Sequence, residues 1–257
     1  MAVIMPAPGP GARADAASGG QVVKGSCRFQ ENWANYLQRT CTGGNRRKWT
    51  ASCWLKRGKL AGTRHLFGAY SDTNNRDNLY YGSGNQWHFN MKTASSWHVD
   101  KATDARFRDT GGWYHFCHVF DTPQSSATNR VRSYVNGVEL DWGGGYAVTN
   151  PSQNAQSIIN MNNATQYIGA APENSGALMN AYFDGTLAQM NFIDGTSLGP
   201  ENFGYTDQLT GIWRPKKFIP PYKVNKGQDW GGMCAGGTDS GYGHEKAFDG
   251  SDATSCY

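Results

Sequence analysis

The sequence is short of charge. Asp, Glu, Lys and Arg make up 17% of its 257 residues, against a usual ~25%. The glutamates number five: Glu31, Glu139, Glu173, Glu201 and Glu245. Long helices with solvated faces need more than this, so a mainly helical fold is excluded. No stretch approaches the ~18 apolar residues of a membrane span, and no basic segment leading into an apolar run of roughly 7 to 15 residues marks a secretory signal. Phosphate-loop spacing is missing. The cysteines, Cys27, Cys41, Cys53, Cys117, Cys234 and Cys256, contain no CxxC pair, and the chain is too long for a disulfide scaffold. Cys53 and Cys117 fall inside strand patterns and are expected as buried free thiols. A net charge of +4 is too small to indicate a nucleic acid or anionic membrane partner. The expectation is a soluble chain made in a reducing cytosol.

Glycine and aromatic residues are what the sequence has in excess. With 33 glycines and 13% aromatics, it reads as β-rich and turn-rich, and a core of this size buries roughly 70% of the unfolded surface without metals or disulfides. The densest unit is Asp109 to Gly137. From Trp113 to Asp121, Trp113, Cys117 and Val119 fall on one side and Tyr114, Phe116 and Phe120 on the other, the pattern of a strand covered twice. Val131 and Val135 are expected to face inward, with Arg130, Arg132 and Tyr134 outward. Asn136-Gly137 supplies the two positive φ values of a type I′ hairpin, which turns the chain into Val138 to Trp142.

The remaining chain has the same punctuation. Residues 1 to 21 are an Ala/Gly/Pro-rich arm with little to bury, either a free tail or an extended segment that docks on a neighbouring protein. Short extended pieces at Ser26 to Phe29 and Asn35 to Thr40 precede the alternation of Lys48 to Lys56, where Trp49, Ala51, Cys53 and Leu55 share a face. Trp54 interrupts the polar face, exposed or packed under a loop. Arg46, Arg47, Lys48, Lys56, Arg57, Lys59 and Arg64 bracket this strand, as solvated strand-end cations that blunt an edge rather than a nucleic-acid patch. Further strands are expected at His65 to Tyr70, Gln86 to Met91, Trp97 to Asp100, Arg106 to Thr110, Thr165 to Gly169 and Tyr182 to Ile193. In the last, Ala188, Met190 and Phe192 alternate with Gln189 and Asn191. Turn signals every ~8 to 12 residues describe an all-β sandwich. From residue 223 to 257 the pattern dissolves into a Gly-rich linker and the expected start of a further module.

Several segments in order carry a family resemblance. YLQRTCTGGNRRKWTASCWLKRGKL, GGWYHFCHVFDTPQSSATNRVRSYVNGVEL, YIGA, FDGTLAQMNFIDGTSLGPENFG and LTGIWRPKKF together resemble the laminin-G-like, concanavalin A-like lectin domain of bacteriophage tail fibres and other virion structural proteins, over residues 25 to 222. The resemblance implies an all-β jelly-roll of two antiparallel sheets, residues 22 to 222, behind the extended arm. It also implies a virion-surface location, on tail or head, with a role in adhesion to host surface glycans or in assembly and decoration. Other virion proteins, met through the arm, and further copies of the chain are the expected partners.

Concanavalin A-like sandwiches include glycoside hydrolases, which need two carboxyl groups about 5 to 9.5 Å apart. Glu139 and Asp141 are the one i, i+2 acidic pair built on a glutamate, and they sit where a strand end is exposed, so no catalytic residue is assigned. His115 and His118, three apart on a strand, point to opposite faces and make no chelating pair. Asp72, Asp77, Asp184 and Asp194 lie in turn-like sequence of the kind that holds calcium in some laminin-G-like domains; no ligands are assigned. A sugar site needs aromatic faces beside amides, and Trp87, Trp97, Trp142 and Tyr146, near Asn- and Gln-rich loops, are its candidate contacts.

Overall fold

The computed structural model describes residues 20–143, 150–172, 178 and 181–220. The strands are β1 (Cys27–Phe29), β2 (Leu37–Thr40), β3 (Lys48–Arg57), β4 (Arg64–Asp72), β5 (Asn75–Tyr81), β6 (Gln86–Thr93) and β7 (Ser96–Arg106), followed by β8 (Tyr114–Asp121), β9 (Val131–Val135), β10 (Val138–Glu139), β11 (Thr165–Ile168), β12 (Gly185–Asp194), β13 (Gly204–Thr206) and β14 (Trp213–Pro215). They form one sheet in the order β1-β12-β3-β8-β9-β10, a second in the order β2-β11-β4-β5-β6-β7, and a two-stranded ribbon β13-β14. All these strand pairs are antiparallel. This is the expected all-β sandwich of two sheets.

The β3–β8 pair centres the first sheet, with Trp49 opposite Phe120 and Cys53 opposite Phe116. Alternation sends Trp49, Ala51, Cys53 and Leu55 into the core, where Phe116, Phe120, Trp87 and Phe89 meet them. Trp49 stacks on Phe120 with centroids 5.2 Å apart, and Trp87 tilts against Phe116 at 4.6 Å. Each such side chain contributes roughly 1.5–3 kcal/mol by leaving water. The other face of β8 is covered too. Cys117, Val119, Tyr134 and Phe203 form a second cluster under Ile193, Leu198 and Phe218. Asn136 and Gly137, at φ 48° and 84°, make the hairpin from β9 to β10 as expected.

Some expectations change. Trp113 precedes β8 and is 41% exposed, so it does not share the burial of Cys117 and Val119. Tyr134 points outward but is buried by Phe203 and its neighbours. Arg106 ends β7 and residues 107–110 form no strand, because Phe107 plugs the core against Tyr81 and Phe116 while Asp109 accepts the Gly111 amide in a turn. β5 was hidden, since Asn75-Arg76-Asp77-Asn78 looks like a turn and is a strand paired on both sides. In β12 the register shifts between Ala188 and Asn191, with Gln189 at φ 47°. That extra residue breaks the expected alternation: Leu187 and Met190 face the main core, and Ala188 turns away from it. The basic cluster is also taken apart by folding. Arg57 is buried against the Tyr81 ring, 4.2 Å from its centroid, and donates to the Phe107 carbonyl. Arg64 and Lys59 pair with Glu31, Lys48 pairs with Asp121, and Arg46 donates to the Ser157 carbonyl.

Candidate functional site

The ribbon β13–β14 is fixed to the outer face of the first sheet by Trp213 and by Phe203, which precedes β13 and packs on Cys117 and Val119. Trp213 Nε1 donates to His115 Nδ1 at 3.1 Å, which leaves the His115 proton on Nε2, donating to Ser52 Oγ at 2.9 Å. Burial pushes the His115 imidazole down to about 4, so it is the neutral acceptor that this geometry needs. The indole lies between two glycines. A Cβ on Gly137 would sit 2.5 Å from Trp213 Cζ3, and one on Gly204 would overlap its five-membered ring. Gly137 is therefore required twice, by its φ of +84° and by the ring on its open side. Gly137→Ala is expected to cost about 2–3 kcal/mol, from backbone strain plus displacement of Trp213. Urea unfolding would check it, and a change below ~0.5 kcal/mol would refute it.

Docking the ribbon creates a cleft. Gly20 bridges Lys216 and Gln21 N donates to the Pro215 carbonyl at 3.1 Å, so the chain entering the fold runs beside β14. Between that segment, the ribbon and β3 lies a cleft of about 470 Å³ lined by residues 21–26, Trp54, Trp113, Ala188, Tyr205, Arg214 and Pro215. Its size is that of a ligand site. Trp54, 8% exposed, is held from below by His115 with centroids 5.1 Å apart. Thus the aromatic that interrupts the polar face of β3 is packed under the entering segment. Arg214 is oriented by a 2.6 Å bond to Asp207 Oδ2. Aromatic faces, one guanidinium and the polar backbone of residues 21–26 are what the cleft offers, and its lining contains no carboxylate side chain.

The four expected sugar contacts do not come together. Trp87 is a correction: it is 1% exposed within the core, donates Nε1 to Ser133 Oγ at 3.2 Å, and presents no face to a ligand. Trp97 is 47% exposed at the start of β7, with Arg76 5.3 Å and Lys92 5.9 Å from its ring centroid. Trp142 is half-buried over Lys101 and bridges Thr103, which puts it and Trp97 about 20 Å apart along the strand at ~3.3 Å per residue. Tyr146 lies outside the described residues. Reasoning from sequence missed Trp113, Tyr205 and Arg214. The signals available were the unpaired bulk of Trp54 and an aromatic-basic run, Trp213-Arg214-Pro215-Lys216-Lys217-Phe218, after the last long strand.

The other chemical candidates disperse. His115 and His118 face opposite sides, the first toward Trp213 and the second into the core against Trp49 and Phe89. Glu139 and Asp141 are exposed at and beyond the end of β10. Asp72 accepts from Asn74 and Asn75, Asp184 pairs with Arg28, and Asp194 accepts from Asn45 and Asn160. Asp77 lies in the middle of β5, fully buried, with its carboxylate on the turn at residues 157–159. Among the described residues no group of three or more His, Cys, Asp or Glu side chains is placed to hold a metal ion.

The profile of the laminin-G type described as the concanavalin A-like lectin/glucanases superfamily matches residues 32–201. No curated protein matches. Among solved structures, the SAP-like pentraxin of Limulus polyphemus is 18% identical over 61% of this chain and 68% of its own, with a TM-score of 0.44. Domain 4 of the arabinanase AbnA from Geobacillus stearothermophilus, solved with arabinotriose, is 17% identical over 67% and 72%, at 0.46. The CBM40 module of a Ruminococcus gnavus sialidase is 12% identical over 63% and 94%, at 0.42. These likenesses concern the sandwich fold and nothing finer.

Proposed function

The chain belongs to the laminin-G-like family of the concanavalin A-like lectin/glucanases superfamily, and on that premise we propose that it is a non-catalytic carbohydrate-recognition module of a bacteriophage virion that meets host surface glycans in the cleft over the first sheet. The observation that carries the reading is the cleft itself, about 470 Å³ with Trp54, Trp113 and Tyr205 in its wall and Arg214 beside them. Aromatic faces take the apolar side of a pyranose, and the guanidinium and the polar groups of residues 21–26 take its hydroxyls. Hydrolysis is not part of the reading, since a glycosidase pair needs two carboxyl groups and the cleft's lining supplies none. The virion role is supported by the ordered run of segments from Tyr36 to Phe218 that resemble phage structural proteins. In it, residues 22–222 form the recognition domain on the particle exterior, and the arm joins other virion proteins and further copies.

A glycan array probed with the purified chain tests this. Binding is expected to fall about tenfold in Trp113→Ala, which removes an exposed stacking face worth roughly 0.5–1.5 kcal/mol beyond the area it buries, and to be unchanged in Trp97→Ala. Absence of any binding at millimolar sugar would overturn the recognition role. The alternative, an assembly or decoration protein in which the lectin fold is scaffolding, is favoured by a separate observation, the free sheet edge at β2, every residue of which is exposed.

A further inference from the structure

The two sheets end on β1 and β2, and between these edges runs an apolar groove of about 300 Å³. Phe29, Leu37, Ile168, Leu187 and Met190 line it together with the exposed thiol of Cys27. Leu37 is 54% exposed. β2 pairs with β11 on one side only, Leu37 opposite Ile168 and Thr40 opposite Thr165, so its outer backbone groups have no strand partner among the described residues. The β1 side differs. β1 covers Gly185 to Leu187 of β12, and the β12 edge beyond is bulged, a distortion that blunts an edge. The regular, open edge is β2.

The same sequence contains a segment with the chemistry to complete that edge. Ala2-Val3-Ile4-Met5 is wholly apolar with two β-branched residues, and Pro6, Pro8 and Pro10 follow it. Such a tetrapeptide suits a half-buried strand, Pro6 ends its pairing, and the proline-rich spacer favours extended conformations. The span from Met5 to Gly20 reaches about 45 Å at ~3.1 Å per residue. Gly20 and Gln21 are held against Lys216 and Pro215, and the chain then passes through Gly25 and Ser26 into β1. An arm reaching its own groove would have to reverse at Gly20 and retrace that path, whereas one reaching a neighbour need only continue.

We propose that Ala2–Met5 of a second copy of this chain adds to the free edge of β2 as a further strand of the second sheet, its apolar side chains filling the groove over Leu37, Ile168 and Met190. Strand addition of this kind takes affinity from main-chain hydrogen bonds and specificity from alternate side chains in the groove. The contact is head-to-tail, since arm and groove are different surfaces, and it closes into a ring or propagates. It rests on the assembly part of the reading above, not on glycan binding.

Light scattering coupled to size exclusion on the full chain tests it. At about 100 µM the chain is expected to be oligomeric, with the dissociation constant raised at least tenfold by Ile4→Asp and by Leu37→Asp. A synthetic peptide of residues 1–12 should compete the oligomer apart. Leu37 is exposed and Ile4 lies outside the described sandwich, so both variants should keep the wild-type circular dichroism. A monomeric wild-type chain, or an oligomer indifferent to both substitutions and to the peptide, would overturn the proposal. Glycan binding that survives in Leu37→Asp separates its failure from failure of the recognition role.

Discussion

Replacing Asp77 by alanine is expected to remove about 3–5 kcal/mol of folding stability, a large share of the 5–15 kcal/mol available to a typical domain. Asp77 is an inward-facing residue of β5 with no exposed surface. Its Oδ2 accepts from Ser157 Oγ at 2.5 Å, Ile158 N at 2.6 Å and Ile159 N at 3.3 Å. Through those bonds it holds the turn that delivers Ile158 and Ile159, 1% and 0% exposed, into the core. Burial pushes the carboxyl up to about 7, against the pull of those donors and of Arg46. Alanine would leave buried donors without an acceptor, at roughly 1–3 kcal/mol each, softened because Ser157 Oγ already accepts from Ile159 N at 3.0 Å. Asp77→Asn keeps one acceptor oxygen and should cost about half as much. Urea unfolding followed by circular dichroism decides it, and an alanine variant within ~1 kcal/mol of wild type would mean that the turn does not depend on this carboxylate.

Asp77 also marks where sequence reasoning reached and where it stopped. The β3 and β8 strands were legible because each alternates large apolar residues against a paired partner, and Asn136-Gly137 because few other dipeptides accept two positive φ values. β5 was not, since its buried side chains include Asp77 and Asn78, and a polar residue satisfied by a distant turn is locally indistinguishable from a turn residue. Asp77 thus looked like a calcium-loop aspartate until the fold placed Ser157 beside it. The cleft was illegible for a related reason. Its walls come from residues 21–26, from Trp54 and Trp113, and from the ribbon carrying Tyr205 and Arg214, pieces brought together by the docking of Trp213 against Gly137 and His115 and of Phe203 against Cys117 and Val119. No local pattern encodes those contacts. Trp87 fails in the opposite direction: a tryptophan near a turn resembles a rim residue, and its alternation with Phe89 and Met91 was the better guide to its place in the core.

Acid should begin to destabilise this protein above the carboxylate range, because four buried imidazoles take up protons on unfolding. Burial pushes His65 and His118 down to about 3 and His88 and His115 down to about 4, with Arg76 and Lys101 adding to the effect at His65 and His118 respectively. At His115 the contact requires the neutral form, since Nδ1 accepts from Trp213; His118 Nδ1 meets Ser133 Oγ at 2.7 Å, where that hydroxyl can donate to a neutral ring. An unfolded histidine titrates near 6.5. Between that value and the folded ones the unfolded chain binds more protons, so stability is fully present above pH ~6.5 and is lost as pH falls toward 4. Each imidazole removes about 1.4 kcal/mol per pH unit in that window. Asp77, raised rather than lowered, gains protons on folding and returns about as much as one imidazole takes between pH ~4 and 7. The net expectation is a slope that approaches about 4 kcal/mol per pH unit below pH ~5.5 and a loss of roughly 5–6 kcal/mol by pH 5, as much as a marginal domain has. Urea titrations at pH 7.5, 6.5 and 5.5 measure the slope directly. Equal stability at all three, or buried imidazole resonances that titrate near 6.5 in the folded protein, would show that these rings are hydrated and that the His115 clamp on the ribbon is not the neutral acceptor described here.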